Sequence, residues 1–499
     1  MKNFSKALAW LTASEIIFNL AGYVVQSAVG RILGPADYGR YGIIVTLTTM
    51  IIILIGNGIP TAMSKYLAEI IESDPAQILG IKRKAIRLQV ILMSIVTVVF
   101  FLASPLIAWL LHDPSLTPLF RLSSLIIPAF AAASFYFYYY TGLHFFRLQA
   151  ILKTTRGLAR IVFIIGLAYF FGVEGAVSGY IAAPLFIFAV ALTCDIFVTH
   201  KYFPATKAGG AKPIEFSGKK ILLYAWPLTL FLLFYELITT IDLYLVKVLL
   251  RSDYQAGLYN AAITVGRIPY YLFYALTIII LPAISKTTAE RNREETENIV
   301  NKSMRLLVLL LFPMVILLIA YAPQTIDFIY GAKYAAAAVP MRVFSLGVGF
   351  LTVFYVLSFA LNGAGLVKIP MKLAFYGLIG SVALNFLLIP RFGLVGAATA
   401  TTIASFVLMA LILIATKRHF KVSVSSRTVF RSLLASALVF LLTLVLPDRH
   451  LLFILSGGAL FLGYFAFLAV LGEITEHDVA PIRRFIGRKS LTTAGIDLP

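Results

Sequence analysis

Charge is what this 499-residue chain has least of: Asp, Glu, Lys and Arg together make up 13% of it, about half the share of a soluble globule. Cysteine is almost missing as well. Cys194 stands alone, so the chain holds neither a disulfide framework nor a cysteine metal site, each of which needs at least a pair. Six histidines at 112, 144, 200, 419, 450 and 477 are too scattered for an imidazole metal site. A phosphate loop is absent: Gly218-Lys219-Lys220 has Pro213 where the first glycine belongs, so ATP hydrolysis is not expected. The glycine pairs at 56 and 58, 347 and 349, and 363 and 365 lie in or beside apolar stretches and not after a strand, which excludes a dinucleotide fingerprint. No D-x-D metal motif occurs, and the longest loops, about 199–220 and 284–304, are too short to present a glycosyltransferase or polymerase site. Neither an enzyme nor a bound cofactor is expected.

Apolar residues fill the space that charge leaves. They make up 60% of the chain, with a mean hydropathy of +0.92, which places it in a membrane. Fourteen apolar stretches are long enough to cross about 30 Å of hydrocarbon, beginning with 8–30 and 42–63, passing through 119–141, 157–171 and 259–283, and ending with 430–446 and 451–471. The first follows Lys2 and Lys6, carries Glu15 and Asn19 and lacks a small-residue cleavage site, so it reads as a retained helix and not a signal peptide. The 42 basic residues outnumber the 22 acidic ones, giving a net charge of +20. Divided among alternating loops, the basic residues fall 32 to 10. Cytoplasmic loops carry such an excess, so both termini are expected in the cytosol of a multi-pass cell-membrane protein. Outside that cytosolic set ten bases face ten acids. The surplus therefore reads as an orientation signal and an attraction to anionic membrane lipid, not as a nucleic-acid surface.

Repetition is the strongest internal signal. Ser64-Lys65-x-x-Ala68-Glu69 returns as Ser285-Lys286-x-x-Ala289-Glu290, and Phe171-Gly172-x-x-Gly175-Ala176 as Phe392-Gly393-x-x-Gly396-Ala397. Gly142 maps to Gly363 and Glu15 to Glu236, every shift being 221. The expected fold is an all-α polytopic membrane protein of two parallel six-helix repeats plus two C-terminal helices. Parallel repeats related by an axis along the membrane normal commonly enclose a path with substrate near the midplane. The expected divisions are a first lobe at 1–199, a cytosolic linker at 200–220, a second lobe at 221–416, two additional helices within 417–472 and a cytosolic tail at 473–499.

The stretch Gly30-Arg31-Ile32-Leu33-Gly34-Pro35-Ala36-Asp37-Tyr38-Gly39-Arg40-Tyr41-Gly42, with Gly58-Ile59-Pro60 and Ser64 to Glu69, resembles the opening of polysaccharide-exporter proteins. These are the Wzx-like flippases of the multidrug/oligosaccharidyl-lipid/polysaccharide (MOP) superfamily. Gly257-Leu258-Tyr259, the run Leu281 to Lys286, and Gly393-Leu394-Val395-Gly396-Ala397-Ala398 are similar to its second half. The resemblance implies two lobes around a hydrated cavity that opens alternately to each side. It also implies movement of a polyprenyl-(pyro)phosphate-linked oligosaccharide from the cytosolic to the outer leaflet. Buried carboxylates could couple that movement to H+ or Na+, and polysaccharide polymerase or ligase proteins are possible partners. A cation-coupled multidrug or metabolite exporter of the same fold is the alternative, as is a non-transporting scaffold for polysaccharide assembly.

A polar path needs polar residues at membrane depth. Arg267 lies about nine residues, or roughly 13 Å, into the eighth stretch, with Pro269 positioned to loosen the backbone beside it. Its planar fork suits an oxyanion cargo, and a structural pair with Glu236 or Asp242 is the competing reading. Arg31 and Lys247, near outer helix ends, are candidates for cargo contact or for snorkelling, and Arg40 for a loop charge. Asn19 and Asn57 are candidates for sugar hydroxyls, and Gly56 to Pro60 predicts a bent second helix. Glu15, Glu236 and Asp242 are the ion-coupling candidates, against simple pairing with Arg267 or Lys247. The run Phe135 to Tyr140 reads mainly as an interfacial aromatic belt.

Overall fold

Gly34 and Pro35 shape the first feature of the chain. A computed structural model describes residues 2–55, 58–71, 77–202, 218–421, 425–446 and 452–474; Asn57, most of the expected linker and nearly all of the expected tail lie outside them. The described residues are mostly helical, with short turns between the helices and no strand among them. Helix α1 (Lys2–Ile55) leaves helical geometry once, at Gly34 (φ 73°, ψ 173°). Glycine reaches positive φ without a Cβ clash, and Pro35 lacks the amide that would have continued the ladder. The turn is therefore tight, and the second expected stretch begins at Pro35, not at 42.

The first half continues through α2 (Gly58–Ile70), α3 (Ile78–Leu110), α4 (Thr117–Ser123), α5 (Ile126–Gly142), α6 (Phe146–Arg160) and α7 (Gly166–Tyr202). A π-helical turn at Ile161–Ile165 joins α6 to α7. The second half comprises α8 (Gly218–Leu250), α9 (Asp253–Gly266), α10 (Ile268–Ala289), α11 (Arg293–Ala320), α12 (Ala322–Tyr330), α13 (Ala338–Gly363) and α14 (Lys368–His419). Helices α15 (Ser426–Thr443) and α16 (Leu452–Val470) follow, packed on α11 through a cluster that includes Leu309, Tyr321, Val439 and Tyr464.

Among the described residues ten segments are long and apolar enough to cross a membrane, where fourteen stretches were expected. Three of the ten, Ala13–Ile52, Phe146–Val198 and Lys368–His419, run for 40, 53 and 52 residues. At 1.5 Å per residue 53 residues would extend roughly 80 Å, far beyond the hydrocarbon thickness. Each of the three is interrupted by one non-helical glycine, Gly34, Gly172 or Gly393, and so contains two expected stretches.

The offset of 221 is present in the backbone itself. Gly172 (φ 59°, ψ −135°) and Gly393 (φ 55°, ψ −133°) share one turn geometry, and His144 and Gly365, the same distance apart, are both left-handed. Three residues beyond each glycine turn the chain comes back against its own carbonyls. A Cβ on Gly175 would strike the Leu167 carbonyl, and one on Gly396 the carbonyl of Leu388, again 221 further on.

The halves meet in a seam at one end. Arg31 donates to the carbonyls of Phe328 and Ile329, the latter at 3.0 Å, at the C-terminus of α12. The Tyr334 hydroxyl donates to the Gly30 carbonyl at 2.7 Å, and the Tyr38 and Tyr330 hydroxyls lie 2.9 Å apart. Lys247 of α8 pairs with Asp113, in the loop after α3, at 2.7 Å and with Asp253 at 2.5 Å. Burial alone would raise the Asp113 carboxyl, but hydrogen bonds from Lys247 and Ser115 outweigh it and hold the group below its ordinary value.

Candidate functional site

Between the halves lies a cavity of about 360 Å³. Asn19 and Tyr23 of α1, Arg156 and Arg160 of α6, Glu236 of α8 and Arg267 contribute its charged and polar wall. Glu236 is the one acidic side chain among its lining residues.

Arg267 occupies a break in a helix. Helix α9 ends at Gly266, and α10 resumes at Ile268 with Pro269 in its first turn, where a missing amide costs nothing. The backbone loosening expected from Pro269 is thus a one-residue interruption, across which the Arg267 amide still donates to the Ile263 carbonyl at 3.1 Å. Its guanidinium donates to the Thr239 carbonyl and faces Glu236 at 3.7 Å, while Nε is buried without a partner.

Arg156 and Arg160 are the residues that reading the sequence missed. In the sequence they belong, with Arg147 and Lys153, to a basic segment at the start of the stretch 157–171 that reads as loop charge. The structure instead starts α6 at Phe146, and all four stand on helix. The 8%-exposed Arg156 places its guanidinium carbon 4.2 Å from the Phe130 ring and 5.3 Å from that of Phe18. Arg160 lies 4.9 Å from the Phe18 ring and donates to the Tyr180 hydroxyl at 3.3 Å. Aromatic faces accept guanidinium groups through their quadrupole. Among the described residues no carboxylate lies within 4.0 Å of either arginine. The missed signal was spacing: 153, 156 and 160 share one face at helical period, which a hydropathy window broken by basic residues conceals.

The other candidates are distributed over the molecule. Asn19 lines the cavity and donates to the Glu15 carbonyl at 3.0 Å. Glu15 pairs with Lys153 of α6 and is not among the lining residues. Asp242 is fully buried within the second half, accepting from the Tyr259 hydroxyl at 2.6 Å, Thr401 at 2.9 Å and the Leu243 amide at 2.9 Å. Arg31 and Lys247 belong to the seam, and Arg40 donates to Ser115 at 2.8 Å. The run Phe135 to Tyr140 is not an interfacial belt. Its Tyr136, Tyr139 and Tyr140 are buried, and Tyr136 and Tyr139 enclose a buried Lys82–Asp195 pair, with Lys82 Nζ 4.5 Å from the Tyr139 ring. A buried ion pair needs such polarisable, hydroxyl-bearing neighbours, and that need draws the run inward.

Three guanidinium groups and one carboxylate thus line a cavity with aromatic walls, a charge balance suited chemically to an oxyanion. No group of three His, Cys, Asp or Glu side chains suited to a metal occurs among the described residues.

The chain is similar to known membrane proteins over most of its length. It is 24% identical over 425 residues, 81% of this chain and 82% of the other, to an uncharacterized membrane protein of Methanocaldococcus jannaschii. Among solved structures it superposes on the lipid II flippase MurJ in an inward closed conformation with a TM-score of 0.70 at 16% identity, covering 94% of this chain and all of that one. An inward-facing multidrug resistance MATE family transporter of the MOP superfamily gives 0.69 at 13% identity, covering 83% of this chain and 98% of that one. A family model described as polysaccharide biosynthesis protein matches residues 4–288, more than half the chain. The chain therefore belongs to the polysaccharide biosynthesis protein family, built on the fold of the MOP-superfamily transporters.

Proposed function

We propose that the protein is a flippase that carries a polyprenyl-(pyro)phosphate-linked oligosaccharide from the cytosolic to the outer leaflet by alternating access. In this reading both termini are cytosolic, the chain crosses fourteen times, and the lobes at 1–199 and 221–416 rock about the cavity. The observation that carries it is the cavity's charge: Arg156, Arg160 and Arg267 against Glu236 alone. A sugar-phosphate head cannot enter hydrocarbon unaided, because each unsatisfied polar group costs several kcal/mol there. A wall of guanidinium groups replaces the water that the phosphate gives up. Asn19 and Tyr23 supply hydrogen bonds for sugar hydroxyls. Asp242, held by Tyr259 and Thr401, is the position at which H+ or Na+ couples to the cycle.

A cation-coupled multidrug exporter is the second reading, favoured by the likeness to a MATE family transporter. A cavity with surplus positive charge repels cationic drugs, which sets this reading behind the first. Complementation of a flippase-deficient strain tests both. Wild type should restore surface polysaccharide and move the lipid-linked sugar outward, and Arg267→Ala should not. Drug resistance with the sugar left in the inner leaflet would establish the exporter.

A further inference from the structure

We propose that Glu236 is the cavity's own anion, which occupies Arg267 while the cavity is empty, yields it to the oxyanion of the cargo and reclaims it to expel the cargo. The inference rests on the transport reading above and assigns Glu236 a release role that ion pairing alone does not.

Four observations converge on this residue. The pair is loose: Arg267 Nη1 lies 3.7 Å from Glu236, whereas Lys247 at the seam holds its carboxylates at 2.5 and 2.7 Å. A single contact of that length is weaker than the bidentate pair an oxyanion forms with a guanidinium fork. Arg267 does not depend on Glu236 for its position, because the Thr239 carbonyl also holds it and its buried Nε has donor capacity to spare. The carboxylate is the more accessible partner, its side chain 29% exposed against 13% for Arg267. Beside the pair lies a recess of about 20 Å³, lined by Tyr235, Thr239, Tyr270, Tyr271, Val348 and Leu351 as well as the pair itself. That is room for about one water molecule among polar partners, enough to solvate a carboxylate turned away from Arg267.

The competitor also has no substitute. Both oxygens of Asp242 already accept hydrogen bonds, and Glu15 is held by Lys153. An empty cavity without Glu236 would leave Arg267 facing it uncompensated, which binds cargo tightly and releases it slowly.

The test is a graded series, Glu236→Asp and Glu236→Gln, in the full-length protein. Binding of farnesyl diphosphate is measured in detergent, and turnover of a prenyl-diphosphate-linked sugar in proteoliposomes. Asp keeps the charge but reaches less far; Gln keeps the shape but removes the charge. Affinity should rise from wild type through Glu236→Asp to Glu236→Gln, by about tenfold in all, while turnover falls in the same order. A merely structural pair predicts the reverse affinity order with a lowered melting temperature, and that result overturns the proposal. Unchanged affinity in both variants overturns it as well while leaving the cargo reading intact. Failure of wild type to bind the probe or to move the lipid would instead sink the cargo reading and this inference together.

Discussion

The two halves of this protein share a backbone and divide the charge. Turns and close approaches repeat at 221 residues, as at Gly172 and Gly393 or Gly175 and Gly396. The ionisable groups mostly do not. Thr46 stands where the second half has Arg267, and Gly377 and Ser381 where the first half has Arg156 and Arg160. Ala21 answers to Asp242, while Ser303 and Thr416 answer to Lys82 and Asp195. Glu15 and Glu236 are a repeated acid within the apolar stretches, and each pairs with a cation from a different element, α6 in one half and the α9–α10 break in the other. Symmetry here governs shape, and function is written by what each half adds to it.

Replacing a residue by its counterpart probes that division. Arg267→Thr gives the second half the first half's residue, removes the guanidinium that faces Glu236, and should lower proteoliposome flipping by about 10- to 100-fold, the scale of losing a hydrogen bond to a charged group. Arg160→Ser should reduce farnesyl diphosphate affinity about tenfold with little loss of melting temperature, since the arginine lies on aromatic rings and not on a carboxylate. Arg31→Ala removes donors to two carbonyls at the end of α12 and should shift the seam toward its open form several-fold. Spin-label distances between α1 and α12 read that shift, and an unchanged distribution would show that the seam does not need Arg31.

The smallest effect concerns acid. The Asp113 carboxyl is held below its ordinary value, so the stabilisation it gives is present above the unfolded-state value near 4 and is lost as pH falls through the lower folded value. Seam distances should therefore stay constant from neutral pH down to about 4 and widen only below it. Asp113→Asn should abolish that acid transition. Glu473 answers the same test at α15 and α16. Burial raises its carboxyl, but Thr428, Arg431 and Arg305 prevail and hold it low.

Much of this was legible in the sequence because it is local. Apolar runs and glycine punctuation are properties of neighbouring residues, the 221 offset needs only the chain compared with itself, and Arg267 stood out because few charges interrupt so apolar a chain. Arg156 and Arg160 were hidden by the same contrast, since their basic segment mimics a loop until its helical spacing is weighed. The partners of Lys247 and Arg31 could not be read at all. Asp113 lies 134 residues from Lys247, and Ile329 lies 298 from Arg31, so only tertiary packing brings them together.

The glycine hairpins have a mechanical consequence. Where the chain returns on itself at Gly175 and Gly396, its backbone sits closer than any side chain would permit, so the two arms of each hairpin are packed backbone against backbone. The α9–α10 interruption is the contrasting feature, a single residue between Gly266 and Ile268. That residue is Arg267. The amino acid that presents its guanidinium to the cavity is thus also the one at which the helix is interrupted, so that a change in the bend there would re-aim that guanidinium.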